Sequence, residues 1–201
     1  MPERNNAFAG WFRRANSKVL GYRKRLTTKH YFLAAILLLL FFLFGYDLKA
    51  VIVVSVLGLL ASYSMIYKRY LRIPSAIELV TFGTVMTSIG YGATAGAIFA
   101  IVTTLAGEII STAVDFFTLV YVVVRALMAF AVYYLFYNFE ISITTLGVLA
   151  AVFFFALTGP IYMLPGDLET KIKATYFFSV NVIFNLMIFA VLGKLVLGII
   201  L

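Results

Sequence analysis

Uncharged runs such as YFLAAILLLLFFLF and AVIVVSVLGLLASYSMIY alternate along the chain with short polar connections. The pattern predicts seven hydrophobic elements, over 31–44, 50–67, 75–90, 93–112, 116–137, 141–164 and 174–201. A helix needs about 20 residues to cross a bilayer, and the first and third elements are short. The expected fold is therefore all-α, a polytopic transmembrane helical bundle of six or seven helices. Pro74, Pro160 and Pro165 fall near the ends of elements, where a residue without an N–H does least harm. The connections leave no room for a soluble domain.

Composition strengthens this reading. Of 201 residues, 64% are hydrophobic and only 12% charged, with a mean hydropathy of +1.05, far from the balance of soluble domains. The absence of cysteine excludes disulfides and thiol chemistry. The single histidine, His30, sits beside Lys29 at the edge of the first run, where anchoring at the interface is expected rather than metal binding.

The net charge of +8 is concentrated in the first 29 residues, where Arg4, Arg13, Arg14, Lys18, Arg23, Lys24, Arg25 and Lys29 face only Glu3. Phe8, Trp11, Phe12, Ala15, Val19, Tyr22 and Leu26 recur at steps of three and four among them, which is the period of an amphipathic helix. Such a helix would lie in the headgroup layer, with Trp11 and Phe12 dipped inward and Arg13, Arg14, Arg23, Lys24 and Arg25 on anionic lipid. Membrane lipid, not nucleic acid, is the expected partner of this arm; docking to a cytoplasmic protein is the rival. Residues 1–29 are thus an interfacial segment and 30–201 the bundle. Basic residues in loops favour the cytoplasmic side. The N-terminus, the KRYLR loop and the PGDLETKIK loop are therefore expected inside a cytoplasmic-type membrane.

Charges within the spans carry the candidate chemistry, because an ionisable group in a membrane must face protein, water or another charge. Arg125 lies in the middle of FFTLVYVVVRALMAFAVYYLFYN and needs an acid; Glu108 is expected to supply it, with Glu78 as the other candidate. Asp115 is expected at a helix boundary, capping the following helix. Asn181 and Asn185 share a helix face and need partners of their own. Glu78, Glu108, Arg125, Asn181 and Asn185 are thus the candidate substrate-binding or interior polar residues. Gly92, Gly96, Ala100 and Thr104 recur every four residues, a small-residue stripe suited to close packing of a helix, inside the bundle or on a partner.

No zinc-binding histidine pair, phosphate-binding glycine loop or nucleophile elbow is present in the sequence, so no enzymatic activity, cofactor or metal site is expected. The segment IELVTFGTVMTSIGYGATAGAIFAIVTTLAGEIIS, within a match over about residues 73–137, resembles the S-components of energy-coupling-factor transporters and the related MreD-like rod-shape proteins. The shared features are Glu78 after a proline-containing start, the turn at 90–92, and Gly96 with Ala97. The resemblance implies a bundle that binds a micronutrient from outside, energised by a separate transmembrane coupling subunit and cytoplasmic ATPases. The alternative it implies is a non-catalytic scaffold that assembles partner proteins.

Overall fold

A computed structural model describes residues 48–71, 76–163 and 168–201. The basic arm with Trp11, Phe12, Arg13, Arg14, Arg23, Lys24 and Arg25, and the first apolar element, lie outside the described residues. The described residues are predominantly helical, with no strand among them. The order is α1 (Leu48–Ser64), α2 (Lys68–Leu71), α3 (Val80–Tyr91), α4 (Ala93–Ser111), α5 (Phe116–Asn138), α6 (Ile143–Met163), α7 (Leu168–Ile188), a π-helical turn (Phe189–Gly193) and α8 (Lys194–Ile200).

Among the described residues, five helical stretches are long and apolar enough to cross a membrane: Leu48–Tyr70, Ala93–Ser111, Phe116–Asn138, Ile143–Ile161 and Lys171–Ile200. Their outward faces are apolar, as lipid requires. On α1, for example, Leu48, Ile52, Val56, Leu60 and Tyr63 are all exposed, while Ala50, Val54, Leu57 and Ala61 point into the bundle. With hydrocarbon on both sides of such a helix, association rests on close packing and internal hydrogen bonds rather than on burial from water.

The element expected over 75–90 departs from the pattern. Residues 76–79 are not helical, and α3 has only 12 residues, roughly 18 Å at the α-helical rise against a hydrocarbon core of about 30 Å. The sequence supplies the break: in RIPSAIEL, proline lacks an N–H and disfavours helix in the residue before it. What makes the short helix tolerable is its position. Val80 through Ile89 are all buried, so α3 lies at the centre of the bundle, enclosed by the long helices.

α3 and α4 form an antiparallel hairpin turning on Gly92, whose φ of 98° lies in the left-handed region that favours glycine. Gly96 lets the two backbones meet, because a Cβ there would sit 2.8 Å from the Cα of Ser88. Ala100 and Thr104 continue this face and are fully buried. The small-residue stripe is thus filled from within the chain, by α3 and its neighbours.

The last span runs parallel to α3. Asn181 reaches the carbonyl of Ala76, the Phe189 ring packs edge-on against Phe82 at 4.9 Å, and Ile200 lies over Gly90. One end of the bundle therefore gathers Lys68, Arg69, Lys171 and Lys173. The opposite end holds the turn at Gly92 and the start of α1, where Lys49 reaches the Ile200 carbonyl. Pro160 sits inside the last turn of α6 rather than beyond it.

Candidate functional site

Non-helical backbone inside a membrane protein survives only if every polar group finds a protein partner or lines a wet cavity. The start of α3 meets this demand with side chains. The Tyr67 hydroxyl accepts from the N–H groups of Ala76 (2.9 Å) and Ile77 (3.1 Å). The Ser64 hydroxyl accepts from Leu79 N–H (2.9 Å) while donating to the Ala61 carbonyl (2.7 Å). Glu78 curls over the helix start: its Oε2 accepts from Val80 N–H (2.5 Å) and Thr81 N–H (3.1 Å), and its Oε1 accepts from the Thr81 hydroxyl (2.6 Å). The Ala76 carbonyl is taken by Asn181 Nδ2 at 3.0 Å. Asn185 Nδ2 in turn donates to Asn181, to its carbonyl at 2.9 Å and to its Oδ1 at 3.2 Å.

A carboxylate placed there is doubly stabilised, by the positive end of the helix dipole and by a cation. The cation is Arg125, from the middle of α5. Its Nη2 lies 3.2 Å from Glu78 Oε1, with both side chains fully buried. Nη1 donates to the Thr104 hydroxyl at 3.1 Å, and the guanidinium carbon stands 4.6 Å from the centre of the Phe154 ring, within cation–π range. Three long helices thus hold one arginine against the start of a fourth.

Glu108 has a different partner. Lys68 Nζ donates to both of its oxygens, at 2.5 and 2.7 Å, and the pair is almost completely buried. The expected Glu108–Arg125 pairing is therefore replaced by two pairs, Glu78–Arg125 and Lys68–Glu108. The reason is axial position. Thr104, which Arg125 touches, lies one turn before Glu108 on α4, so Glu108 sits roughly 6 Å closer to the basic end. There Lys68, just past the last turn of α1, reaches it first, and the late start of α3 leaves Glu78 at the height of Arg125.

No family model, curated protein or solved structure matches the chain.

The structure brings Glu78, Arg125, Thr104 and Asn181 together around the start of α3, with Asn185 one turn beyond Asn181 and Glu108 one turn beyond Thr104. Gly92, Gly96 and Ala100 stay on the hairpin seam. Asp115 lies at the surface and caps α5 reciprocally with Thr118, as its boundary position predicts. Sequence reasoning missed Lys68, which reads as a loop cation, and Tyr67, Ser64 and Phe154. Lys68 had a signal in its place, directly after the apolar run and two residues before the end of the 23-residue stretch Leu48–Tyr70. Phe154, one of three consecutive phenylalanines, had none. The site as a whole is charge-balanced and rich in hydroxyl and amide groups.

Proposed function

We propose that the chain is a membrane-embedded solute-binding subunit of an uptake transporter, with its site at the start of α3. The observation that carries this reading is the short helix α3, which begins inside the bundle beneath Glu78 and the buried Arg125 after the non-helical residues 76–79. Broken crossings with helix starts at mid-depth are how transporters present backbone and dipole to a polar solute. Paired charges at that depth mark solute or ion pathways. The sequence carries no phosphate-binding loop, so in this reading a coupling subunit and cytoplasmic ATPases energise release. The end with Lys68, Arg69, Lys171 and Lys173 faces the cytoplasm, following the bias of basic residues. The N-terminus is then cytoplasmic if the undescribed first element crosses the membrane.

The alternative, a scaffold that docks partners through the small-residue stripe, draws less support, because Gly96, Ala100 and Thr104 are already buried within the chain. The test is native mass spectrometry of the protein released gently from its membrane. A retained small molecule, lost in an Asn181→Ala variant that still folds, supports the reading. Co-purifying membrane proteins without any small molecule would turn the assignment to the scaffold.

A further inference from the structure

The buried charges around α3 cancel. Lys68 and Arg125 stand against Glu78 and Glu108, and all four are buried. The hydrogen bonding does not close in the same way. Arg125 carries five N–H groups, yet Nη1 reaches Thr104, Nη2 meets Glu78 only as an ion pair, and Nε has no hydrogen-bond partner. The buried hydroxyl of Thr84 and the Oδ1 of Asn185 are also without one.

Helical register brings two of these groups into one seam. α3 and α5 run in the same direction, since Glu78 meets Arg125, Ser88 donates to the Ala129 carbonyl at 2.6 Å, and Tyr137 donates to the Ile89 carbonyl. Thr84 lies one turn before Ser88 and Arg125 one turn before Ala129, so Thr84 stands against the Arg125 turn. Asn185 approaches the first turns of α3 from α7, between Asn181 at Ala76 and Phe189 at Phe82.

We infer that the solute is a small, net-neutral polar molecule whose carbonyl or hydroxyl oxygen accepts hydrogen bonds from Arg125 Nε–H and the Thr84 hydroxyl. This rests on the solute-binding reading above. An anion or a cation would bring an uncompensated charge into a region whose own charges already cancel, and a buried charge without a partner is strongly penalised. A neutral oxygen adds no charge, and its two lone pairs can take one hydrogen each from Arg125 Nε and the Thr84 hydroxyl. The Phe154 ring covers one face of the guanidinium, leaving its edge to do the binding. Asn185 Oδ1 asks in addition for a donor, which an amide or hydroxyl compound carries.

The experiment compares acetate, acetamide and acetamidinium, which share one heavy-atom frame and carry charges of −1, 0 and +1. Each is titrated against the full chain in lipid nanodiscs at pH 7 and constant ionic strength, with thermal unfolding as the readout. Acetamide is expected to raise the midpoint in a saturable way and the two ions are not. Thr84→Val, which keeps the side-chain shape, should weaken the apparent acetamide affinity about two- to tenfold, the worth of one hydrogen bond. Thr103→Val should leave it unchanged, because the Thr103 hydroxyl serves the Phe99 carbonyl of its own helix. A larger shift with either ion, no shift with any of the three, or equal effects of both substitutions overturns the inference. A charged solute found by native mass spectrometry overturns it too while leaving the solute-binding reading intact; no solute and no shift together overturn both.

Discussion

Two helices in this protein begin with the same local device in opposite surroundings. At the start of α5, Asp115 accepts from the Thr118 N–H and hydroxyl, three residues on, at the bundle surface. At the start of α3, Glu78 accepts from the N–H and hydroxyl of Thr81, again three residues on, with no exposure at all. Water shares the charge of Asp115. Nothing but protein shares that of Glu78, so the chain must bring Arg125 across from α5, and must hold Arg125 in turn with Thr104 and Phe154. A surface cap is a private arrangement between four residues, whereas a buried one recruits the surrounding helices. This is why the start of α3 is a candidate site and the start of α5 is not.

The comparison can be broken most sharply at Glu78. Glu78→Ala should destabilise the fold by about 3–5 kcal/mol, since it strips the cap and leaves Arg125 buried without an anion, read as a lowered midpoint of unfolding in mixed detergent micelles. The double change Glu78→Gln with Arg125→Met should recover most of that loss; strict additivity of the two single changes would show the pair to be uncoupled. Next in size is Glu108→Gln. Removing the anion, and with it one of the two acceptors of Lys68, should cost about 1.5–3 kcal/mol, less than at the deeper pair because the glutamine oxygen still accepts from Lys68 and Lys68 retains a little exposure. Gly96→Ala tests whether the hairpin seam sets the depth of the α3 start: forcing the helices apart should cost about 1–3 kcal/mol and raise hydrogen exchange across α3. Asp115→Ala, the surface counterpart, should cost only about 1 kcal/mol, and an effect equal to that of Glu78→Ala would erase the contrast.

The long spans were legible because lipid imposes a simple demand, some 20 apolar residues, which composition alone can satisfy. The inward place of Arg125 was legible for the same reason. Its partner was not. Two acids lay within reach, and the choice between them depends on where along the bundle axis α3 becomes helical, a break of a few residues that hydropathy does not register. Lys68 was obscured by its neighbours, since KRYLR reads as a loop and only the packing of α1 on α4 turns its first cation inward. Tyr67 and Ser64 became visible as partners only once the backbone they serve was seen to lack helical bonds of its own. The stripe of Gly96, Ala100 and Thr104 was plain in the sequence, but small residues serve an internal and an external surface equally well, so its destination had to come from the hairpin.

The π turn at Phe189–Gly193 bears on how the final span can be read. An α-helix advances about 100° per residue, and an unbroken one would leave the side chains of Asn181 and Ile200 about that far out of phase. A π turn accommodates one additional residue, which absorbs roughly that angle and brings both side chains back to bear on α3, at Ala76 and Gly90. The span is thus two inward faces spliced in phase, one amide-bearing and one apolar. Losing a single residue at the splice would let it close as regular α-helix with both faces still in phase, whereas straightening it with every residue kept would swing everything beyond it about a quarter turn away from the centre.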